Sequence, residues 1–319
     1  MTDYEVLLQQ VITGLSNGMI IALIALGYTM VYGIVELINF AHGDLFMLGA
    51  FCALSVLGVL GVDAGATTAV TMTTLVLLFT IVPIFCALLN WLVDRYAYRA
   101  LRKAPRLAPL VSAIGVSFIF LNIGLFWGGL PMEVFNQGRT AAAPKDFPLL
   151  IGNQNLFGDS VIQFTEKDLL VFVITIPLML ILTYIVRFTK LGKAMRAVSQ
   201  NPIAAQLMGI NVNQIIGTTF IIGGALGGFS SVIYALYNNT IYFQMGYRVG
   251  IDAFTAAVLG GIGSLPGAVL GGLLIGLIRS MSDQYIATQW TNVLVFSILI
   301  LALTFKPSGL LGRTVKEKV

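Results

Sequence analysis

Long apolar runs most constrain what this chain can fold into. They recur along its whole length, and each approaches the ~20 residues that cross a bilayer as a helix. The chain is 57% hydrophobic and only 10% charged. The runs lack the polar and apolar alternation of a transmembrane barrel, so backbone hydrogen bonds must be satisfied inside helices. The sequence predicts an all-α, polytopic transmembrane helical bundle, with residues 1–319 as a single domain.

The hydropathy pattern predicts about nine spans, two of them separated by a glycine-rich break. They lie near residues 8–33, 42–61, 67–93, 108–130, 168–189, 213–236, 251–264, 267–285 and 291–305. Segment 251–264 is short for a span, so a re-entrant segment buried among other helices remains an alternative. The N-terminal residues MTDYEVLLQQ have neither a basic region nor a small-residue cleavage site, so we expect the first helix to be retained.

Basic residues predict the orientation of the bundle. The positive-inside rule places the loop at 95–106 and the tail after 305 in the cytoplasm. Their basic residues are Arg95, Arg99, Arg102, Lys103, Arg106, Lys306, Arg313, Lys316 and Lys318. The connection 131–167 contains Glu133, Asp146, Asp159 and Glu166, so it is expected to be a periplasmic loop. The N-terminus is then outside and the C-terminus inside, and the net charge of +4 does not indicate nucleic-acid binding.

A short capped helix is predicted inside the basic loop 190–211. Asn201 has the character of an N-cap, Pro202 suits the first helical position, and Gly209 can end the helix after Met208. Four basic residues without an acidic neighbour keep the segment in the cytoplasm: Arg187, Lys190, Lys193 and Arg196. We favour a helix that grips a cytosolic partner. The alternative is an interfacial helix that holds anionic lipid headgroups.

Two stretches interrupt the apolar sequence with polar residues or glycine. The first runs from Glu36 to Asp44, and the second from Ala257 to Gly267. Broken helices at such positions place backbone dipoles around the substrate in many transporters. The residues with a candidate role in the pathway or its gating are Asn39, His42, Gly43, Asp44, Gly260, Gly261 and Gly263. For His42 and its neighbours three roles stay open: capping of the second helix by Asn39 or Asp44 with local packing, gating of the pathway or contact with a cytosolic partner, and substrate contact.

Other polar and small residues within the spans predict helix packing. Glycine pairs four residues apart predict close helix contacts: Gly14/Gly18, Gly223/Gly227, Gly224/Gly228, Gly267/Gly271 and Gly272/Gly276. Arg279 and Asp283 are expected to pair on one helix, with substrate contact as the alternative. Arg248 and Asp252 are expected either to pair or to meet a docking protein. Asn17 and Asn122 should face the interior, a partner subunit or water. Cys52 and Cys86 are expected to be packing residues without a disulfide.

Several classes of function find no support in the sequence. No stretch matches G-x-x-x-x-G-K-[ST], so we do not expect this chain to hydrolyse ATP itself. His42 is the single histidine, and with Asp44 it does not complete a metal shell. No G-x-S-x-G nucleophile motif is present. We therefore expect no catalytic residues, no metal and no cofactor.

Three motifs together resemble one transporter family. INFAHGDLFMLGAF (38–51), GKAMRAVSQNPIAAQLMGINV (192–212) and AAVLGGIGSLPGAVLGGLLIG (256–276) are similar to the permease subunits of high-affinity branched-chain amino acid ABC importers. The chain most resembles the smaller of the two permeases. The resemblance extends from about residue 8 to Gly309-Leu-Leu-Gly312, and the stretch 131–167 matches no motif of the family.

The resemblance implies a bacterial inner-membrane permease with several partners. These are a second permease in a heterodimer, two cytosolic ATPase subunits, a periplasmic substrate-binding protein and the surrounding lipid. It also implies that loop 190–211 couples the permease to the ATPase through Gly192, Lys193, Arg196, Asn201, Pro202, Ala204, Ala205, Leu207, Met208 and Gly209. The expected cargo is a branched-chain or other aliphatic amino acid. The alternative is a nucleotide-independent channel or secondary transporter for a small neutral solute such as an amide or urea.

Overall fold

The computed structural model describes residues 3–35, 39–62, 65, 67–102, 104–105, 107–158, 160–306 and 308–312. Its α-helices are α1 (Asp3–Val35), α2 (Ala41–Leu60), α3 (Thr68–Val93), α4 (Leu107–Trp127), α5 (Glu166–Phe188), α6 (Lys190–Gln200), α7 (Pro202–Leu207), α8 (Val212–Asn238), α9 (Met245–Gly260), α10 (Leu265–Tyr285) and α11 (Thr291–Phe305). The predicted all-α bundle is confirmed. Some sequence expectations involved Glu36, Lys103, Arg106, Asp159, Arg313, Lys316 and Lys318, which lie outside the described residues.

Short elements extend or connect the helices. A π-helical turn (Asp94–Tyr98) and a 3-10 turn (Arg99–Leu101) continue α3, and another 3-10 turn (Glu133–Gly138) follows α4. Strands β1 (Lys145–Asp146) and β2 (Thr240–Ile241) pair antiparallel, with Lys145 opposite Ile241. This pairing fastens the connection between α4 and α5 to the end of α8.

Seven helices of the described chain are long and apolar enough to cross a membrane: α1 to α5, α8 and α10, with α3 counted through Leu101. Helix α11 is apolar but shorter, with 15 residues. The predicted span 251–264 is displaced, because α9 has 16 residues and ends at Gly260. Gly261 and Gly263 have positive φ and stop the helix there. Most residues of α9 are buried, in keeping with the alternative of a segment enclosed by other helices.

The core of the bundle lies around α1, α2 and α8. Within the most apolar 18-residue stretch of each of these helices, 72% is buried inside the bundle. The corresponding share is 17% in α4 and 22% in α5. Helix α1 packs along α10, and α3 packs along α8. Helices α4 and α5 therefore present most of their apolar surface outward, to lipid or to another subunit.

Glycine pairs produce the close helix contacts, as predicted. A Cβ on Gly272 would lie 2.4 Å from Cα of Ala22, and one on Gly276 would lie 2.4 Å from Cα of Gly18. At the α3–α8 contact, a Cβ on Gly228 would lie 2.6 Å from Cα of Pro83. Real Cβ atoms do not approach backbone so closely, so these helix pairs require glycine at their contacts.

The prediction that Arg279 pairs with Asp283 is wrong. Arg279 of α10 instead pairs with Asp252 of α9 and also donates to Asn292 at 2.8 Å. Asp283 accepts a hydrogen bond from Thr291. Because the chain turns after Gly260, α9 packs against α10. The buried carboxylate of Asp252 on α9 therefore pairs with Arg279 in place of the exposed carboxylate of Asp283 on α10. Arg248 is exposed.

The two cysteines are buried, whereas Asn122 is exposed. Cys52 and Cys86 are buried free thiols, as expected. Asn122 lies on the outer face of α4, where its amide donates to the carbonyl of Phe118 at 2.8 Å, so it does not face the bundle interior. A shallow apolar cavity of about 460 Å³ surrounds it, lined by Phe118, Ile119, Ile123 and Phe126.

Candidate coupling surface and transport pathway

A tight turn joins α5 to α6 and sets the position of the segment that the sequence predicts to contact the ATPase. The Thr189 hydroxyl accepts from the backbone N–H of Gly192 at 3.2 Å and so caps α6. A Cβ on Gly192 would lie 2.2 Å from the carbonyl oxygen of Val186. The turn is possible because residue 192 lacks a side chain, so Gly192 shapes the segment and does not face outward.

Helix α6 is amphipathic and is held against the end of α5. Its buried residues are Gly192, Met195 and Val198, spaced three apart on one face. Arg196 donates to the carbonyl of Val186 and, at 3.5 Å, to that of Arg187. A cation at the last carbonyls of a helix satisfies acceptors that lack an intrahelical partner. Arg196 therefore fixes α6 to α5, whereas Lys193 is exposed.

Helix α7 has the caps that its sequence predicts. The Asn201 side chain accepts from the backbone N–H groups of Ile203 and Ala204, both at 3.0 Å, and Pro202 is the first helical residue. The helix ends at Leu207, one residue before the predicted end, and Gly209 has φ +83°. The backbone N–H of Ile210 then bonds to the carbonyl of Ala205 at 3.0 Å. Both ends of this six-residue helix are thus fixed.

The two faces of α7 differ in exposure. Ala205 is 4% exposed and faces the bundle, while Ile203, Leu207 and Met208 are 73%, 83% and 83% exposed. These three side chains form what we call the α7 apolar patch. Pro202 and Ala204 are exposed beside it. Sequence reasoning missed Ile203, which the spacing of four from Leu207 on a short helix could have revealed.

The polar residues at the start of α2 serve buried contacts between helices. Asn39 accepts from the Tyr98 hydroxyl at 2.7 Å and donates to Oδ1 of Asn90 at 3.4 Å. Asp44 accepts a hydrogen bond from Ser117 of α4. The expectation that Asn39 or Asp44 caps α2 is wrong, because α2 has no side-chain cap and both groups are engaged by α3 and α4. Asn90, Tyr98 and Ser117 were missed, although each is a polar residue within or next to an apolar run.

His42 and Gly43 lie where four helices meet. His42 is 1% exposed, and its ring meets that of Tyr28 edge to face with centroids 4.8 Å apart. It occupies the space left by Gly27 of α1, where a Cβ would lie 2.3 Å from Nε2. A Cβ on Gly43 would lie 2.9 Å from Cα of Gly250 on α9. Helices α1, α2, α8 and α9 are therefore packed closely around these residues.

The break between α9 and α10 is closed by the last described residues of the chain. The backbone N–H groups of Leu310 and Leu311 donate to the carbonyls of Leu259 and Gly260, each at 2.9 Å. Gly309 has φ +74°, and a Cβ there would lie 2.4 Å from Cα of Gly261. The final carbonyls of α9 are thus satisfied by the C-terminal segment, a contact that sequence reasoning missed.

The two interrupted stretches approach each other around a very small cavity. Its volume is about 10 Å³, and it is lined by Tyr28, Tyr32, Asn39, Phe254, Ala257 and Ile262. That is room for about one water molecule. The space between the two stretches is therefore closed to an amino acid in this conformation. The described residues contain no group of three or more His, Cys, Asp or Glu side chains able to hold a metal.

The fold is that of a polytopic helical membrane protein whose helices pack closely through glycine. The family profile described as branched-chain amino acid transport system, permease component, matches residues 10–303. This chain belongs to that family.

Two relatives match over nearly the whole chain, and a third matches over half of it. The permease protein BraD of the high-affinity branched-chain amino acid transport system of Pseudomonas aeruginosa is 39% identical over 318 residues, 98% of each chain. LivH of the corresponding Escherichia coli K12 system is 36% identical over 317 residues, covering 98% of this chain and 97% of LivH. LivM, also a permease protein of that system, is 24% identical over 167 residues, 50% of this chain and 38% of LivM. No solved structure matches this chain.

Proposed function

We propose that this chain is the smaller membrane-spanning subunit of an ATP-driven importer of branched-chain or other aliphatic amino acids. It pairs with a second, LivM-like permease, and two cytosolic ATPase subunits drive the pair. A periplasmic binding protein delivers the substrate. The N-terminus lies in the periplasm and the C-terminus in the cytoplasm of a bacterial inner membrane, and this subunit performs no catalysis itself.

The observation that carries the proposal is the α7 apolar patch. Three large apolar side chains at 73–83% exposure protrude beyond the ends of the spans, on a helix fixed at both ends. A monomer gains nothing from such a surface in water, whereas a partner that covers it is stabilised by apolar burial. The exposed Lys190 and Lys193 on the adjoining α6 add positive charge that would suit an acidic rim on the ATPase.

Coupling would work by movement of rigid parts. Ala205 packs against the bundle and α7 is joined directly to α8, while Arg196 fixes α6 to α5. Nucleotide-dependent closure of the ATPase pair would then displace α7 together with the ends of α5 and α8. Because α8 packs along α3 and also contacts α1 and α2, that displacement reaches the closed space next to Asn39.

The pathway needs no tight site for the substrate. Asn39, His42, Gly43 and Asp44 from one side, and Gly260, Gly261 and Gly263 from the other, are the residues that we propose to gate it. In the closed conformation Asn39 accepts from Tyr98, Asp44 accepts from Ser117, and the carbonyl of Gly260 accepts from Leu311, so opening must exchange these contacts. Substrate choice would then reside in the binding protein.

The alternative is a nucleotide-independent channel or secondary transporter for an amide or urea. Such a protein has no use for the α7 apolar patch. Reconstitution separates the two. The full chain, the second permease, both ATPases and a leucine-loaded binding protein are placed in proteoliposomes, and labelled leucine uptake and ATP hydrolysis are measured. Uptake should require ATP. Accumulation by vesicles containing only this chain, without ATP, would overturn the proposal.

Matched variants test the coupling surface. Leu207→Ser with Met208→Ser should release the ATPases during co-purification and reduce leucine uptake by about tenfold or more, since about 1.4 kcal/mol of lost contact is a tenfold change in affinity. Val59→Ser with Leu60→Ser makes the same change in two exposed residues at the opposite end of the bundle and is the control. Equal ATPase retention in both double variants would contradict the assignment and favour contact with lipid headgroups instead.

A further inference from the structure

A polar groove opens between the end of α3 and the start of α8, and no residue of the α7 apolar patch lines it. Its volume is about 460 Å³. Its main lining residues are Trp91, Arg95, Arg99, Asn213, Gln214 and Thr218. None of them takes part in the coupling or the pathway described above. The groove lies at the same end of the bundle as α7, because α8 follows that segment directly.

The described residues in and beside the groove carry a net positive charge, and Asp94 attracts Arg99 as well as Arg102. Asp94 is the single carboxylate among the described lining residues, and it forms an ion pair with Arg102. Arg95 and Arg99 are exposed, and among the described residues neither is in an ion pair. The Arg95 guanidinium lies over the Trp91 ring, 5.6 Å from its centroid, which holds it at the rim of the groove.

The amides at the start of α8 are arranged to leave donors available. Arg102 donates to Oδ1 of Asn213 at 2.6 Å, so the Asn213 amide nitrogen remains as its donor. The helix N-terminus itself is partly satisfied, since the Asn211 side chain accepts from the N–H of Gln214 at 3.1 Å. Recognition of a ligand would therefore rest on the two arginines, supported by the Asn213 amide.

One end of the groove continues into apolar surface. Ile221 of α8 and Leu88 and Ile84 of α3 are exposed by 39%, 56% and 62%. They follow the groove toward the middle of the spans, because Gly217 lies beside Trp91 and Gly224 beside Ala87. A polar, cationic head joined to an apolar strip matches the shape of a phospholipid, with its headgroup at the arginines and its acyl chain along the strip.

We propose that this groove binds the phosphate headgroup of an anionic phospholipid in the leaflet on the α7 side of the membrane. Two guanidinium groups form charge-assisted hydrogen bonds with phosphate oxygens, and Arg95 and Arg99 can approach one phosphate from two sides. Because the arginines carry two charges in excess of the Asp94–Arg102 pair, a net negative lipid is preferred over a zwitterionic one.

Fluorescence quenching tests this site in the full-length chain. Trp127→Phe and Trp290→Phe leave Trp91 as the single tryptophan. The protein is placed in phosphatidylcholine nanodiscs into which brominated phosphatidylglycerol or brominated phosphatidylcholine is titrated. Quenching of Trp91 should show a preference for phosphatidylglycerol of up to roughly thirty-fold. Arg95→Gln with Arg99→Gln should reduce that preference by up to roughly thirty-fold, from about 1 kcal/mol per cation near the surface.

A control variant and a milder variant complete the test. Arg187→Gln with Lys190→Gln removes two exposed cations on the same side but outside the groove, and it should keep the preference. If the double arginine variant does not fold, Arg99→Gln alone should lower the preference roughly fivefold. Equal quenching by both lipids in the parent protein, or equal loss in the control, overturns the proposal. If 10 mM inorganic phosphate displaces phosphatidylglycerol and sodium chloride of the same ionic strength does not, the groove is a site for free anions, which contradicts the proposal.

Discussion

Arg279 of α10 is paired with Asp252 of α9, although Asp283 stands only one turn away on its own helix. The side chains of the pair are 14% and 8% exposed, and Asn292 accepts a second hydrogen bond from the guanidinium. The contact joins the two helices on either side of the broken segment. It therefore limits how far α9 and α10 can separate during transport.

Removal of one partner of this pair should destabilise the protein. Asp252→Asn leaves Arg279 buried without its counter-charge, and we expect a loss of about 3 kcal/mol in the free energy of unfolding. Asp283→Asn is the control, because Asp283 is exposed and an asparagine can still accept the hydrogen bond from Thr291, so the change should cost about 1 kcal/mol. Thermal unfolding of the detergent-purified variants measures both. Equal melting temperatures would contradict the structural role of Asp252.

Neighbouring alanines on α7 should respond differently to the same substitution. Ala205 is buried at 4% exposure, so Ala205→Leu should overpack the contact with the bundle and cost about 1–3 kcal/mol. Ala204 is exposed, so Ala204→Leu should leave the melting temperature unchanged while it weakens ATPase retention. Melting curves and co-purification separate the two effects. Loss of stability in both variants would show that Ala204 also packs inward.

Glycine at the α1–α10 contact should be irreplaceable, whereas glycine on the outer face of α4 should not. Gly276→Ala places a methyl group 2.4 Å from Cα of Gly18, so the helices must separate, at a cost of about 3 kcal/mol. Gly115→Ala meets nothing within 4 Å and should be neutral or stabilising by up to about 1 kcal/mol through helix propensity. Thermal unfolding in one detergent compares them. A milder effect at Gly276 than at Gly115 would refute the packing argument.

Lys145 should make stability depend on pH in the alkaline range. Its side chain is 1% exposed and donates to the carbonyl of Thr140 at 2.6 Å, and burial lowers the pKa of its ammonium. Below that lowered pKa the Lys145 ammonium is charged in both the folded and the unfolded state, so the free-energy cost of burying it does not change with pH. As the pH rises from the folded-state pKa toward about 10.4, the unfolded chain binds more protons, so the free energy of unfolding increases.

The comparison with Lys145→Met isolates this effect from other titrating groups. The difference in free energy of unfolding, parent minus variant, should move in favour of the parent as the pH rises from 7 to 10. Denaturant unfolding at each pH provides the measurement. A difference that stays constant across this range would mean that Lys145 titrates normally.

Much of the local structure could be predicted from the sequence because residues close together in the chain determine it. Spans depend on uninterrupted apolar length, and α7 depends on Asn201, Pro202 and Gly209, which act within four residues of their own positions. The stop after Gly260 also follows from local glycines. Span limits were accordingly close to those observed, except for 251–264.

The partners of buried polar groups were not predictable in this way. Asn39 bonds to Tyr98 and Asn90, and Asp44 to Ser117, across 59, 51 and 73 residues of sequence. Capping of α2 was expected because a cap is the nearest partner in sequence. In the folded bundle a donor on another helix lies closer, and the nearest partner in space is the one that is used.

The sequence by itself determined that the chain is a helical membrane bundle, where its spans lie, and that α7 is a short helix with an Asn201 cap and a glycine after its end. Only the tertiary structure decided that Ala205 faces inward while Ile203 faces outward, that Arg279 meets Asp252, and that Leu310 and Leu311 satisfy the end of α9. Helix formation is governed by residues within one turn, whereas these contacts depend on which helix faces meet after the chain has folded.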